Sequence, residues 1–313
     1  MHEPPLVSLE KVDISFAQAG GGPRFRAVDD VTLSIARGEV LGIVGESGSG
    51  KTTLAKAILR LYTPSEGTLR FDGTDITRVG ERALRPLRRH MQMVFQDPLS
   101  SFNPRVRIAD ALALPLRMHA NVTSDAVPER VTSLLAQVGL GPQFAGRFPH
   151  EMSGGQLQRV AIARVLACAP KLIVADEAVS KLDVSVRAQI LNLLRDVQVS
   201  TGAALLFITH DLRVARYLCT RIGVMFFGRL VEIGSTSDVF ANPRHPYTRA
   251  LLATLGDTSA ELAALEPPAP AGEGCRYRSR CPLAREDCAT KRPVLQPRDG
   301  GRQDVACHHP PTP

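Results

Sequence analysis

Tryptophan is absent from this 313-residue chain, and aromatic residues make up only 5% of it. That argues against a platform of interleaved basic and aromatic side chains, on which single-stranded nucleic acid stacks. Long apolar runs are also missing. The chain's apolar runs, such as ALLFI and LIVA, fall far short of the roughly 20 residues that a membrane-spanning helix needs. The first residues, MHEPPLVSLEKVD, lack the basic start and apolar stretch of a secretion signal. The expectation is a cytoplasmic protein that, if it works at a membrane, docks on something that spans it. Cysteine is sparse, with six in all, and four of them (Cys275, Cys281, Cys288 and Cys307) crowd the C-terminal end.

What is present is ordinary globular usage, 44% hydrophobic and 22% charged, so a sizeable core can be buried. The length suits one large domain with extras or two modest ones. The net charge is +7. A basic balance can mark a nucleic-acid or membrane partner. Scatter over solvated faces explains it more simply, and no nucleic-acid partner is expected. The densest cluster, Arg78, Arg82, Arg85, Arg88 and Arg89, has no aromatics among it.

The most informative stretch is EVLGIVGESGSGKTTLAKAIL. Val40 to Val44 reads as a buried strand, and Lys51 to Leu61 has helical apolar spacing. Between them Gly45, Ser47, Gly48, Ser49, Gly50, Lys51, Thr52 and Thr53 lie in a G-x-x-x-x-G-K-T loop, the pattern that cradles nucleotide phosphates. Glycines let the backbone wrap a phosphate, while N–H groups and the helix N-terminus point at it. Lys51 can reach the β and γ phosphates, and the Thr52 hydroxyl can ligate Mg²⁺. A second apolar strand, Leu172 to Ala175, ends in Asp176 and Glu177. Asp176 is placed to hold Mg²⁺, and Glu177 to act as general base on an attacking water. A third strand ends at His210, at the strand edge where ligands bind in open α/β sheets.

MSGGQLQRVAIARVLA, Met152 to Ala167, resembles the LSGGQ signature of the ABC-transporter ATPases and lies in the same order between the other motifs. Read from its residues, SGGQ is a glycine turn at a helix start with Ser153 as N-cap, and such an N-terminus binds anions. The resemblance implies that Ser153, Gly154, Gly155 and Gln156 meet the ATP held by another subunit. It also makes Gln96 the Q-loop residue beside Mg²⁺, SKLD the D-loop with Asp183, His210 the switch histidine, and Phe16 the adenine-stacking ring. The implied fold is α/β: a P-loop NTPase of the ABC type, with a RecA-like parallel sheet and an antiparallel β subdomain. The ATPase domain would span 1–241, with a helical subdomain over 91–155. RIADALALPLRM and VPERVTSLLAQVGL supply its helical spacing. A small extension, 242–313, would follow.

FQDPLSSFNPRVRI, LDVSVRAQILNLL and NPRHPYTRALLATL are similar to the peptide/nickel branch of importers. That resemblance implies uptake of di- or oligopeptides powered by a head-to-tail ATPase dimer, formed with a paralogue or with itself. It implies transmembrane permease subunits, an extracytoplasmic binding protein and a peripheral place on the cytoplasmic face of the plasma membrane. Nickel or another small solute is the alternative cargo. A soluble ABC ATPase acting on DNA or ribosomes is the rival class; the single cassette and the lack of heptads argue against it. A regulator that binds nucleotide without hydrolysis is opposed by Glu177 and His210. Two residues depart from the family pattern, Ala178 where Pro is usual and Lys181 where Ala is usual; neither removes a catalytic group. Met152 in place of Leu conserves volume.

The tail cysteines are spaced C-x₅-C-x₆-C-x₁₈-C after the linker-like EPPAPAGEG. A reduced cytoplasm disfavours disulfides, and zinc sites usually show shorter spacing. Four thiolates can hold a [4Fe–4S] cluster across wider loops, as some similar importer tails do. Zinc and free structural cysteines stay open as alternatives. Arg276, Arg278 and Arg280 would offset the cluster's charge, and His308 and His309 adjoin Cys307. Cys168 and Cys219 read as buried core thiols.

Overall fold

The computed structural model describes residues 3–17, 24–119, 122–255 and 274–311. Of the expected linker EPPAPAGEG, residues 266–273 lie outside them. The strands run β1 (Val7–Phe16), β2 (Phe25–Ile35), β3 (Val40–Val44), β4 (Glu66–Phe71), β5 (Thr74–Asp75) and β6 (Met91–Val94), then β7 (Leu172–Asp176) and β8 (Ala204–Thr209). β9 (Arg221–Phe226), β10 (Arg229–Ser235), β11 (Gln296–Arg298) and β12 (Gln303–Val305) complete them. The helices are α1 (Lys51–Ile58), α2 (Glu81–Arg88), α3 (Ile108–His119), α4 (Val127–Gln137) and α5 (Gly154–Leu166). α6 (Val184–Thr201), α7 (Leu212–Leu218), α8 (Thr236–Ala241), α9 (Pro246–Ala253) and α10 (Asp287–Thr290) follow.

The chain divides into two compact units. One comprises Val7–Ile35, Glu39–Arg78 and Phe207–Pro313. It contains an antiparallel sheet in the order β2-β1-β4-β5 and a run ordered β11-β12-β10-β9-β3. β3 pairs parallel with β9, from Leu41↔Arg221 to Val44↔Val224. All five β3 residues are buried, as an apolar strand covered on both faces requires. The C-terminal extension is built onto this unit: β12 pairs antiparallel with β10 in the register Glu232↔Val305 to Gly234↔Gln303. An extension too short for a core of its own thus shares that of the ATPase sheet.

The other unit comprises Met1–Leu6, Ala36–Gly38 and Val79–Leu206. Here β6 pairs parallel with β7, Met91↔Leu172 to Val94↔Ala175, so the segment 91–155 opens with a strand. Its helices α3, α4 and α5 pack through buried Leu112 and Leu116, Val131, Leu134 and Leu135, and Leu157, Val160 and Ala161. Arg159 Nη1 donates to Val138 O at 2.8 Å, closing α5 on the end of α4. α2 buries only Leu84, so its arginines lie on a solvated face, as the simpler reading of the charge required. Cys168 and Cys219 are buried, as expected. No described helix is long and apolar enough to cross a membrane.

Candidate functional site

The phosphate loop joins β3 to α1. Gly45 has φ 149° and Gly50 φ 99°. A Cβ on Gly45 would stand 2.1 Å from Met225 O, and one on Gly50 would stand 2.2 Å from Ala27 O. Only glycine fits either position, by conformation and by space. Gly228 N–H donates to Ser49 O at 2.7 Å, tying the loop to the β9–β10 turn. Lys51 is buried, with 4% exposed. Its Nζ donates to Gly45 O at 2.8 Å, to Glu46 O at 2.6 Å and to Ser49 Oγ at 3.3 Å. The ammonium is thus held at the loop it serves. Ser47 and Gly48 are exposed at the loop's tip, while Thr52 and Thr53 are half-buried in the first turn of α1. His210 follows the last residue of β8 and is exposed. Phe16 ends β1 at 37% exposure, edge-on to Tyr62 with ring centres 5.2 Å apart.

The other unit carries the second half of the motif set. Asp176 ends β7 and is buried. Glu177 follows with φ 46°, a left-handed backbone that costs a non-glycine residue about 1–2 kcal/mol; strain of this kind collects at functional positions. Gln96 Nε2 donates to Glu177 Oε2 at 2.9 Å and to Ser180 Oγ at 3.3 Å. Ser153 is the N-cap of α5, as its sequence indicates. Its Oγ accepts from Gln156 N–H at 3.3 Å, and Gln156 Oε1 accepts from Ser153 N–H at 3.1 Å, a reciprocal capping box. A Cβ on Gly155 would lie 2.4 Å from Val186 Cγ1, so the signature turn sits tightly against the first turn of α6, just after Asp183. Ala178 is buried and Lys181 is exposed.

The extension supplies contacts that sequence reasoning missed. Glu46 N–H donates to Tyr247 Oη at 3.0 Å, and Arg280 Nη1 lies 4.0 Å from Glu46 Oε2. Asp29, its side chain 1% exposed, is paired with Arg229 at 2.8 Å and Arg292 at 3.2 Å, and with Arg276. Burial pushes its carboxyl up, but Arg229, Arg276 and Arg292 together hold it below the ordinary value. Glu232, fully buried, accepts from Arg244 N–H at 2.7 Å and His245 N–H at 2.9 Å. No local pattern announces such pairs, which join residues up to 263 positions apart.

The four tail cysteines converge. Cys275 N–H donates to Cys288 O at 2.8 Å, and the Cys307 thiol interacts with those of Cys275, Cys281 and Cys288. Burial pushes Cys307 up to about 11 and raises Cys275 and Cys281. The N–H two residues on opposes this in each case: Tyr277 for Cys275, Leu283 for Cys281 and His309 for Cys307. An N–H aimed at sulfur favours a thiolate, but burial outweighs it at all three cysteines, which stay above the ordinary thiol value. Among the described residues, the close trio of donor atoms within 4.8 Å is Asp287, Cys288 and His309, where His309 Nε2 is 2.9 Å from Asp287 Oδ1. The expected role of the tail arginines is corrected in part. Arg276 turns to Asp29, Arg278 to Ala289 O at 2.9 Å and Arg280 to Glu46.

An α/β core, a glycine loop closed on a buried lysine, a strand-end Asp-Glu pair and a capped SGGQ helix are together the features of a nucleotide-hydrolysing cassette. The chain belongs to the ABC transporter family, whose profile matches residues 28–180; the oligopeptide/dipeptide transporter C-terminal region matches residues 231–288. It is 45% identical to the oligopeptide transport ATP-binding protein AppF of Bacillus subtilis over 294 residues, covering 90% of this chain and 89% of that one. Among solved structures it resembles the ATP-binding cassette MJ0796, a dimer in a post-hydrolysis state bound to ADP and Pi. The TM-score is 0.67 at 30% identity, covering 74% of this chain and 98% of that one. It also resembles cbiO1 from Clostridium perfringens, part of the ABC transporter complex cbiONQ. There the TM-score is 0.68 at 27% identity, with 81% and 96% covered. The chain is an ABC ATPase.

Proposed function

We propose that this ATPase powers the uptake of di- or oligopeptides through a transmembrane permease. The observation that carries the cargo is the coexistence in one chain of the ABC cassette and the oligopeptide/dipeptide C-terminal region. Lys51 and the loop N–H groups bind the β and γ phosphates, with Gly45, Ser47, Gly48, Ser49, Gly50 and Thr53 shaping the cradle. Thr52, Asp176 and Gln96 hold Mg²⁺, which supplies charge neutralisation when bound. Glu177 takes the proton of the attacking water, His210 faces the γ-phosphate, and Phe16 stacks on the base. The Ser153–Gln156 turn and Asp183 close on the nucleotide of a second ATPase subunit, a paralogue or another copy. Closure on ATP and release after hydrolysis drive the permease.

A groove of about 480 Å³ in the unit of α3 supports permease docking; its lining includes Phe102, Leu114, Met118 and Arg164. Leu114 and Met118 stay more than half exposed. On this reading the protein sits peripherally at the cytoplasmic face of the plasma membrane, and a binding protein delivers cargo from the far side. The cysteine set holds a [4Fe–4S] cluster at Cys275, Cys281, Cys288 and Cys307, which staples the extension when bound. Anaerobic purification with iron, sulfide and zinc assays tests this: near-equal iron and sulfide, lost in Cys288→Ser, are expected. Stoichiometric zinc alone would refute the cluster.

For the transport role, a strain carrying Glu177→Gln in place of the native chain should lose uptake of labelled di- and tripeptides and keep nickel uptake. Loss of nickel uptake with peptide uptake intact would overturn the cargo assignment.

A further inference from the structure

Glu46 occupies one of the four unrestricted positions of the phosphate loop, where wrapping a phosphate demands backbone N–H groups and no particular side chain. Yet its carboxylate is only 10% exposed, and both oxygens are buried without a hydrogen-bond partner among the described residues. Burying a carboxylate this way is unfavourable unless nearby cations compensate. Burial pushes it above the ordinary carboxylate value; Arg280 and then Lys51 oppose this.

The carboxylate therefore stands between the loop lysine and an arginine of the extension. The residue's backbone is tied at both ends as well. Its N–H donates to Tyr247 Oη at 3.0 Å, and its carbonyl accepts from Lys51 Nζ at 2.6 Å. Tyr247 is fully buried. Its ring is held by Phe226 at 4.6 Å and Tyr277 at 5.5 Å, which makes its hydroxyl a fixed reference point. Tyr277 lies between Cys275 and Cys281 in the same short segment as Arg280.

We propose that Tyr247 and Arg280 are positioning residues: they fix Glu46, and through it Lys51, so that the C-terminal extension sets the affinity of the phosphate loop for ATP. This rests on the loop being the ATP site. Neither residue reaches the reacting atoms; each acts through Glu46.

The test uses the full chain carrying Tyr247→Phe, Arg280→Ala, Arg280→Lys, Glu46→Gln or the Glu46→Gln/Arg280→Ala pair. Binding of a fluorescent ATP analogue, KM and kcat for ATP, and thermal midpoints are measured. Arg280→Ala and Tyr247→Phe should weaken nucleotide binding roughly three- to tenfold, the size of one lost polar contact near a charge, with kcat changed less than KM. Arg280→Lys should recover part of the loss. Glu46→Gln removes the charge that Arg280 compensates, so the double variant should bind no more weakly than Glu46→Gln alone. Wild-type affinity in both Arg280→Ala and Tyr247→Phe, or full additivity in the double variant, overturns the proposal. Lys51→Ala separates the two claims: if it too binds like wild type, the reading of the loop as the ATP site fails instead.

Discussion

Gln96 donates to Glu177 across 81 positions of sequence, Nε2 to Oε2 at 2.9 Å. The bond holds the proposed general base while its backbone is in the left-handed region. Gln96→Ala should therefore lower kcat by about tenfold or more, within the range of losing an oriented proton acceptor, and change ATP affinity less. Steady-state phosphate release over a range of ATP concentrations checks this. An unchanged kcat would show that Glu177 needs no such support.

Gly155 leaves no room for a side chain against Val186. Gly155→Ala should destabilise the protein by about 1–3 kcal/mol, as overpacking does, and lower ATPase activity by displacing the SGGQ turn. Val186→Ala in the same chain should restore much of both. Thermal melts and ATPase assays of the three variants report the coupling.

Asp29 gathers arginines from β10 and from the extension around one buried carboxylate. Asp29→Asn keeps the shape and removes the charge, leaving Arg229 and Arg276 mostly buried without compensation. Breaking a buried pair in this way costs about 3–5 kcal/mol. The melting temperature should fall, and amide hydrogen exchange should rise first in β11 and β12.

His245 gives the stability a pH dependence. Burial pushes its pKa down to about 3 from 6.5, so the folded protein holds it neutral while the unfolded chain protonates it. Between these values the unfolded state binds more protons. Stability therefore rises with pH through that window and is lost as pH falls through it, at up to about 1.4 kcal/mol per pH unit. Glu232 beside it has a raised pKa, mainly from burial, and contributes the opposite slope above 4.5. His245→Asn isolates the histidine term. It retains an acceptor for the Tyr247 N–H, which His245 Nδ1 now accepts at 3.0 Å. Urea denaturation between pH 4 and 7 should show a shallower slope in the variant.

The local features were legible in the sequence. The strand–loop–helix around Lys51 shows in composition and spacing alone, and Ser153 with Gln156 three residues on announces the capping box. The helices α3 and α4 lie where their apolar spacing puts them. The contacts of the extension were not legible, because side-chain direction across more than 200 positions has no periodic signature. Arg276 and Arg280 adjoin cysteines in sequence but turn to Asp29 and Glu46. For the same reason nothing in the tail's short elements signals that β12 completes the edge beside β10. The φ of Glu177 likewise has no counterpart in a residue pattern that would suit a strand end.

The most direct test of the central claim is ATP binding and hydrolysis by the purified chain, compared with Glu177→Gln. The substitution preserves size and the acceptor for Gln96 while removing the base. The wild type should release phosphate from Mg-ATP. The variant should bind ATP with similar or higher affinity and hydrolyse it at least about a hundredfold more slowly. Hydrolysis by the variant at the wild-type rate would contradict the assignment of Glu177 and, with it, the chemistry proposed for this site.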